Sequence, residues 1–197
     1  DPVHVSPSEL LATRHMWHGK ELVPLEVNFD HSHKPVNAYE TGLSIGRGKL
    51  GKWGPNHASD LLVTRTTDGI TRVLVIYRSD QVGLVPALPG GMTDVDPSTG
   101  RMEVAISTVR REIFEEAIAN GASVEGFALS RALDDGEVVY AGYAPDPRNT
   151  SNAWIETCVI HVHIPEWVAN GLRLRNHVEG ETKGTTWLPL DRTSVGE

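Results

Sequence analysis

The stretch that decides the fold reads Gly90-Gly91-Met92, then Glu103, then Arg111-Glu112-Ile113-Phe114-Glu115-Glu116. Read as a helix, its second half places Glu116 about 40° from Glu112 around the axis, and Glu115 about 60° the other way. Three carboxylates on one side repel each other, so the pattern does not serve the stability of the helix. Hard divalent cations such as Mg²⁺ prefer oxygen-rich clusters of this kind. The stretch therefore predicts a Mg²⁺ site for a phosphate-bearing substrate; the alternative is a solvated acidic face.

The apolar residues of this stretch indicate how the helix is anchored. They recur at the spacing of a core-facing helix, on a face next to the acids, at Met102, Ile106, Val109, Ile113 and Ala117. We expect the main helix to span residues 103–119 and to end near Asn120-Gly121, a suitable C-terminal capping pair.

The segment before the helix reads as a strand followed by a tight turn. The run Val73-Leu74-Val75-Ile76-Tyr77 is rich in β-branched residues, which favours a strand. Pro89-Gly90-Gly91 then interrupts the chain, and its glycines let the backbone pass close to a ligand. We therefore expect Gly90, Gly91 and Met92 to contact the substrate, and the Gly91 carbonyl to complete the metal shell.

These motifs resemble the Nudix box, in which a glycine is followed by Glu and then by Arg-Glu, an apolar residue, any residue and Glu-Glu. From Glu103 through Glu116 the match is complete. Eleven residues separate Gly91 from Glu103 where the family has five, so the loop 92–102 carries six extra residues. Ile118 stands where the family has a glycine. Neither departure touches the carboxylates.

Two further stretches narrow the resemblance: residues 46–57, GRGKLGKWGPNH, and residues 142–157, GYAPDPRNTSNAWIET. From about Thr41 to Asp191 the chain is similar to the mitochondrial-type ADP-ribose pyrophosphatases of animals. It is equally similar to the Nudix homology domain at the C-terminus of ADP-ribose-gated, melastatin-type TRP cation channels. The resemblance implies an α/β (α+β) Nudix fold, with a mixed β-sheet sandwiched between helices.

The same resemblance suggests how the chain is divided. We expect residues 1–40 to form a small irregular N-terminal lobe and residues 41–197 to form the Nudix hydrolase domain. The chain starts at Asp1, without Met, and stops soon after residues 187–191, where the resembling proteins continue. We therefore expect an excised domain or a processed fragment that is truncated at its C-terminal end.

The resemblance implies Mg²⁺-dependent hydrolysis of ADP-ribose to AMP and ribose 5-phosphate, with Mn²⁺ as a substitute metal. It implies Glu112 and Glu116 as the principal metal ligands, and Glu115 as a third ligand or as the base toward water. Glu103 is either an outer member of the site or a helix-start acid favoured by the macrodipole. Arg111 orients the acids through charge-assisted hydrogen bonds.

Two other functions stay open at this point. The first is an ADP-ribose-sensing domain of a tetrameric cation channel, in which ligand binding shifts a conformational equilibrium and hydrolysis is retained. The second is hydrolysis of another nucleoside diphosphate linked to X. A substrate panel separates the second from ADP-ribose hydrolysis.

Asp146 and Arg148 are the best candidates for substrate recognition. Arg148 could fork onto a phosphate, and Asp146 could accept hydrogen bonds from ribose hydroxyls. The alternative is a turn closed by an Asx hydrogen bond, with the arginine on the surface. Asn56 and His57 follow a rigid Gly-Pro turn and are candidate phosphate or ribose contacts, and Asn37 is a candidate ribose contact.

Aromatic residues offer candidates for stacking on adenine. Trp154, Trp53 and Tyr143 lie in or near the quoted stretches, although each such residue is more often part of a core. Glu156 could add a further metal ligand, but an acid on a strand face is the favoured interpretation. Coarsely, residues 59–66, 71–78, 137–144, 154–164 and 184–188 predict strands, and residues 165–170 predict a short helix or turn.

Composition narrows the classes of function. A chain of 197 residues with 39% hydrophobic residues suits one domain with a sizeable core. There is no long apolar run and no visible secretory signal, so we expect no direct membrane insertion. The single Cys158 suits a reducing intracellular compartment, either mitochondrial, cytoplasmic or at the cytosolic face of a channel. The net charge of −8 argues against nucleic-acid binding.

Overall fold

The computed structural model describes residues 15–80, 83–95, 101–176 and 182–190. Its strands are β1 (His15–His18), β2 (Glu21–Pro24), β3 (Gly54–Thr67), β4 (Ile70–Asp80), β5 (Gly83–Ala87), β6 (Gly90–Met92), β7 (Glu137–Ala144), β8 (Ala153–His163) and β9 (Thr185–Pro189). Its helices are α1 (Ala105–Glu112), α2 (Val124–Asp134) and α3 (Glu166–Gly171), and a π-helical turn (Ile113–Ala117) continues α1.

Within the described residues, seven strands form one sheet in the order β5-β4-β3-β8-β7, with β6 paired to β3 and β9 paired to β4. Strand β4 lies antiparallel to β3, β5 and β9, so Val73 opposes Thr64, Ile76 opposes Ala87 and Leu74 opposes Trp187. Two residues connect β3 to β4, Asp68 and Gly69, both at positive φ (52° and 73°). A two-residue hairpin turn between twisted strands requires this backbone conformation.

The chain divides into two compact units. The first unit comprises Asp1–Ala58 and Tyr140–Cys158, and the second comprises Ser59–Val139 and Val159–Glu197. Strands β3, β7 and β8 each contribute residues to both units.

The second unit is built around fully buried apolar faces. Its strands bury Leu61, Val63, Leu74, Ile76, Ile160 and Val162, and its helices bury Val109, Ile113, Leu129 and Leu133. Burial of each such side chain stabilises the fold by about 1.5–3 kcal/mol. From Val159 onward strand β8 alternates between buried and more exposed residues, because His161 and His163 turn to the other face and share the Thr64 hydroxyl (2.8 and 2.9 Å).

The first unit is rich in loops, which side-chain hydrogen bonds to the backbone hold in place. The β1–β2 hairpin buries Trp17, which is 3% exposed. Asn152 donates to the Pro35 carbonyl (2.8 Å) and accepts from the Gly46 amide (3.0 Å), while the Thr150 hydroxyl donates to the Gly46 carbonyl (2.5 Å). These contacts satisfy backbone groups that have no ladder partner.

The five strands expected from the sequence are confirmed, although β3 begins five residues earlier, at Gly54. The helix expected over residues 165–170 is found as α3. The main helix, expected over residues 103–119, is wrong in its bounds and in its type. It begins at Ala105, and its last turn is π-helical because the Ile118 amide donates to the carbonyl of Ile113, five residues back (2.9 Å).

Helix α2 was not predicted from the sequence. Its side chains Val124 and Phe127 are exposed and Gly126 interrupts it, so its apolar residues do not form a clear stripe. The helix nevertheless has an N-cap, since the Ser123 side chain accepts from the Gly126 amide (3.1 Å).

The expected N-terminal lobe is described only from residue 15 onward, and it contains the β1–β2 hairpin. Residues 1–14 lie outside the described residues, as do residues 96–100 of the long loop. The first unit also includes residues 41–58, so a boundary at residue 40 stays a prediction. In the described part of the chain, no helix is long and apolar enough to cross a membrane.

Candidate functional site

The glycine turn and the acidic helix come together in the second unit. The Leu61 amide of β3 donates to the Pro89 carbonyl (2.8 Å) and fixes the turn. A Cβ placed on Gly91 would lie only 2.1 Å from Glu112 Oε1. The Glu112 side chain is 12% exposed. The missing side chain at Gly91 is therefore what lets this carboxylate lie against the turn.

Glu116 is the buried acid of the site, with 3% of the residue exposed. Its Oε2 accepts from the Gly90 amide (2.9 Å), and its Oε1 accepts from Arg78 Nη2 (2.7 Å). Arg78, on β4, also donates to the Gly90 carbonyl (2.7 Å). A carboxylate so far removed from water requires such donors, and here strand β4 and the turn supply them.

Arg111 binds the remaining acids together. Its guanidinium contacts the carboxylates of Asp94 (3.3 Å), Glu103 (3.1 Å), Glu112 (2.7 Å) and Glu115 (3.4 Å), and the Met92 carbonyl (3.2 Å). Burial alone would raise the pKa of Glu103, but hydrogen bonds from Arg111, Asp94 and Thr108 outweigh it and hold the pKa below its ordinary value. Burial acts to lower the pKa of Arg111, and the surrounding carboxylates raise it instead.

The charges around Arg111 do not balance. Among the described residues, four carboxylates lie within 3.4 Å of the Arg111 guanidinium, and Arg78 pairs with Glu116. Carboxylate oxygens are the donors that Mg²⁺ and Mn²⁺ prefer, and the excess negative charge attracts a cation. Among the described residues no three His, Cys, Asp or Glu side chains already surround a common metal position. The donor set thus fits a divalent cation in its chemistry.

The three helix acids differ in exposure. Side-chain exposure is 12% for Glu112, 4% for Glu116 and 55% for Glu115. The π turn changes the angles between these acids from those expected at 100° per residue. Glu115 faces solvent, whereas Glu112 and Glu116 face the two glycines.

Four residues expected to contact substrate are instead buried in the first unit. They are Asn37 (5% exposed), Asn56 (2%), His57 (1%) and Trp154 (1%). Asn56 accepts from the Lys52 amide (3.0 Å) and donates to the carbonyls of Lys52 (2.9 Å) and Gly54 (3.0 Å). Asn37 donates to the Thr150 carbonyl (3.1 Å). In this structure all four side chains are buried, and their contact with substrate stays a prediction.

Asp146 and Arg148 form a turn closed by an Asx hydrogen bond, which was the alternative to a role in substrate recognition. The Arg148 amide donates to Asp146 Oδ1 (2.8 Å), and the guanidinium binds both carboxylate oxygens (2.8 Å each). Burial alone would raise the pKa of Asp146, but Arg148 outweighs it and lowers that pKa. The Arg148 side chain is 48% exposed, so it can reach a ligand once this pair opens.

An aromatic cluster covers Glu156 in the first unit. Tyr39 stacks on Tyr143 (ring centroids 4.9 Å apart) and packs edge-on against Trp154 (6.3 Å). Glu156 accepts from Trp154 Nε1 (3.0 Å) and from the Tyr39 hydroxyl (3.4 Å), and burial raises its pKa. The Tyr143 ring, one of the candidates for stacking on adenine, stacks on Tyr39, and Glu156 is a buried acid with 1% of the residue exposed.

Sequence analysis missed Arg78 and Asp94. Arg78 had a signal in the sequence, because it lies two residues after the buried Ile76 and therefore on the same face of the strand. An arginine that continues a buried strand face indicates a buried acidic partner. Asp94 lies in a loop, and nothing in its spacing marks it.

Comparisons with known proteins agree with this geometry. No family model matches the chain. The chain is 38% identical over 160 residues, covering 80% of its length, to a nudix hydrolase of Caenorhabditis elegans. Over 152 residues it is 38% identical to the mitochondrial ADP-ribose pyrophosphatase of Rattus norvegicus, covering 66% of this chain. It is 36% identical over 147 residues, again 66% of its length, to the transient receptor potential cation channel subfamily M member-like 2 of Nematostella vectensis.

The chain spans only part of each relative, namely 56%, 41% and 9% of their lengths in that order. Among solved structures, the chain resembles a bifunctional NMN adenylyltransferase/ADP ribose pyrophosphatase from Francisella tularensis, described as complexed with AMP and a manganese ion. The likeness has a TM-score of 0.50 at 19% identity and covers 73% of this chain and 36% of the other. At this identity it supports the fold.

Proposed function

Because the chain belongs to the Nudix family, we propose that it hydrolyses ADP-ribose to AMP and ribose 5-phosphate with Mg²⁺ or Mn²⁺ as cofactor. The observation that carries this proposal is the pair of carboxylates that the helix holds against the glycine turn, Glu112 at Gly91 and Glu116 at Gly90. The 38% identity to a rat protein named mitochondrial ADP-ribose pyrophosphatase supports ADP-ribose as the substrate.

In this proposal Glu112 and Glu116 are the principal cation ligands, with Glu115 as third ligand or base and the Gly91 carbonyl completing the shell. The excess of carboxylate over guanidinium charge supports the assignment, since a cation relieves that imbalance better than one arginine does. Arg111 keeps the acids aligned, and Glu103 holds Arg111 in place (3.1 Å).

The reaction breaks one P–O bond of the pyrophosphate bridge. A water oxygen attacks one phosphorus, the bridging oxygen leaves with the other phosphate, and the water gives its proton to a base. A bound divalent cation supplies positive charge to the phosphate oxygens and raises the acidity of water. Glu115 is the acid best placed to accept that proton, because its side chain is 55% exposed. Its distance to Arg111 (3.4 Å) is also longer than that of Glu112 (2.7 Å).

In the second unit, substrate contacts are assigned to the backbone of Gly90, Gly91 and Met92. In the first unit, Asp146 and Arg148 are the candidate substrate contacts. Arg148 exchanges Asp146 for a phosphate, and Asp146 then accepts hydrogen bonds from ribose hydroxyls. The four buried residues of the first unit, Asn37, Asn56, His57 and Trp154, stay candidate substrate contacts in this proposal.

The test is AMP release from ADP-ribose with Mg²⁺, comparing wild type with Glu112→Gln and Glu116→Gln. We expect each variant to lose roughly a hundredfold or more in kcat, since it removes a ligand oxygen charge. Glu166→Gln, at an exposed acid of the same unit, is the matched control and should keep the wild-type rate. Arg148→Ala should raise KM and leave kcat unchanged. AMP release that persists in both ligand variants would contradict the assignment of the site.

A second candidate function is an ADP-ribose sensor within a tetrameric cation channel. The 36% identity to a channel of the transient receptor potential M subfamily supports it. Calorimetric binding of ADP-ribose by a wild-type protein that releases no AMP would favour this function over hydrolysis. As a channel domain the protein would lie at the cytosolic face of a membrane, and as a free enzyme it would be mitochondrial or cytoplasmic.

A third candidate is hydrolysis of another nucleoside diphosphate linked to X. A panel of substrates that includes NADH, CoA and a dinucleoside polyphosphate separates this function from ADP-ribose hydrolysis. The proposed function requires that ADP-ribose have the highest kcat/KM of the panel.

A further inference from the structure

The end of the acidic helix contains a carbonyl that the helix itself does not use. In an α-helix the Phe114 carbonyl would accept from the Ile118 amide, four residues on, and in a π-helix from the Ala119 amide, five residues on. Both amides donate elsewhere: Ile118 to the Ile113 carbonyl (2.9 Å) and Ala119 to the Arg173 carbonyl (2.8 Å). The π turn thus frees the Phe114 carbonyl from both expected partners.

The Arg175 side chain donates hydrogen bonds to the Phe114 carbonyl. Its guanidinium forks onto the Phe114 oxygen, with Nε at 3.2 Å and Nη2 at 3.1 Å. Two charged donors on one freed carbonyl stabilise it more than a single neutral amide does. The guanidinium therefore acts as an external cap for a turn that has lost its own hydrogen bond.

The backbone places Arg175 there independently of its side chain. Its amide donates to the Ala117 carbonyl (2.8 Å), and Leu174 forms an isolated antiparallel bridge with Ile118. A substitution at residue 175 that keeps the main chain consequently keeps these contacts and removes only the fork on Phe114.

We propose that Arg175 is a positioning residue that holds the end of the helix in its π-helical form and so directs Glu115 and Glu116. This inference rests on the proposed function for its catalytic consequence. The Ile113–Ile118 hydrogen bond encloses Phe114, Glu115, Glu116 and Ala117, so the turn's width sets the direction of both acids.

An α-helical turn is the alternative to the π-helical turn at the end of this helix. Without the Arg175 side chain the Phe114 carbonyl loses both guanidinium donors, and the Ile118 amide can supply a new one by moving from the Ile113 carbonyl to the Phe114 carbonyl. Together with the matching shift of the other i→i−5 bond of the five-residue segment Ile113–Ala117, this exchange converts the π turn to an α turn and rotates Glu115 and Glu116 about the helix axis. Glu116 would then leave the Gly90 amide (2.9 Å) and Arg78 (2.7 Å), while Glu112, which precedes the turn, stays at Gly91.

The first test reads the helix directly, without substrate or metal. Through-hydrogen-bond NMR couplings identify the acceptor of the Ile118 amide in wild type, Arg175→Ala and Arg175→Lys. We expect the Ile113 carbonyl in wild type, the Phe114 carbonyl in Arg175→Ala, and a return to Ile113 in Arg175→Lys, whose ammonium can still donate to Phe114. Arg173→Ala removes the same charge two residues away and should keep the wild-type coupling.

The second test follows the cation and the reaction. We expect Arg175→Ala to weaken Mn²⁺ binding, measured by electron paramagnetic resonance, and to lower kcat, each by roughly tenfold to a hundredfold. KM for ADP-ribose should stay near the wild-type value, and Arg175→Lys should recover part of both losses. A protein that was merely destabilised would lose folded fraction and keep the kcat of its folded molecules.

The outcomes separate the two proposals. If wild type releases no AMP, the proposed function fails, while the NMR couplings and Mn²⁺ affinity still decide the role of Arg175. If the Ile118 amide keeps its bond to Ile113 in Arg175→Ala, or if Arg175→Ala and Arg173→Ala bind Mn²⁺ equally, the positioning role is overturned.

Discussion

Gly90 and Gly91 are neighbours, but a side chain at each would meet a different kind of obstacle. A Cβ at Gly90 would come within 2.5 Å of the Ser59 carbonyl and 2.7 Å of Asp60 Cα, which are backbone atoms of β3. At Gly91 the nearest obstacle is the end of the Glu112 side chain, at 2.1 Å. Backbone in a sheet cannot give way, whereas a carboxylate can rotate aside.

This difference predicts that the two alanine variants fail in different ways. Gly90→Ala should reduce the free energy of unfolding by about 1–3 kcal/mol, because the sheet must shift. Gly91→Ala should stay within about 1 kcal/mol of wild type but lose roughly tenfold or more in kcat, because Glu112 is pushed off the turn. Urea unfolding and AMP release measure the two effects. Equal stability losses in both variants would mean that Glu112 cannot move.

The β1–β2 hairpin shows how one buried group ties an element to its unit. His57 on β3 bonds through Nε2 to the His15 carbonyl of β1 (2.6 Å), and its ring meets Trp17 edge-on (5.9 Å between centroids). Lys52 Nζ lies 3.4 Å from the other ring nitrogen, Nδ1. Burial first, and then the charge of Lys52, lower the pKa of His57 to about 3. The ring is therefore neutral in the folded protein and donates from Nε2.

The low pKa makes stability depend on pH, with a definite sign. Between the ordinary histidine pKa of about 6.5 and the folded value of about 3, the unfolded chain binds a proton at this position and the folded chain does not. The stability contribution of His57 is present above that window and falls as pH is lowered through it, by about 2 kcal/mol from pH 7 to pH 5.

Urea unfolding at both pH values measures this loss. His57→Gln, neutral throughout, should remove about 2 kcal/mol of the pH dependence whatever its absolute stability. His18→Gln, at an exposed histidine of β1, should keep the full pH dependence. An unchanged pH dependence in His57→Gln would show that His57 is not the titrating group.

At the level of the whole molecule, the net charge of −8 makes general cation effects expected, so a specific site must be separated from them. A ligand that binds only the folded state stabilises it by mass action, by about 2.7 kcal/mol at roughly a hundredfold excess over Kd. We expect Mg²⁺ to raise the free energy of unfolding of wild type more than NaCl of equal ionic strength does, and EDTA to reverse the gain.

The variants locate that gain. It should be lost in Glu112→Gln and kept in Glu166→Gln, an exposed acid of the same unit. If Mg²⁺ and NaCl stabilise wild type equally, the carboxylates around Arg111 do not form a cation site in the folded protein.

The parts of the molecule that could be predicted share one property, which is that local spacing controls them. The strand around Val73 follows from its β-branched residues, the strand around Ile160 follows from alternation, and the spacing of Glu103, Arg111 and Glu112 marks the family. Helix α2 could not be predicted, because Phe127 is exposed and its neighbours carry no stripe.

The amino-acid sequence alone determined which residues carry the carboxylates, the glycines beside them and the order of strands and helix, because these depend on residue type and short-range periodicity. Only the tertiary structure decided which acids are enclosed. Glu116 is buried because β4 brings Arg78 to it, and the last helical turn is wide because a segment near Arg175 takes its amides and carbonyls. Such partners lie 38 and 61 residues away along the chain, and no local spacing encodes a contact at that distance.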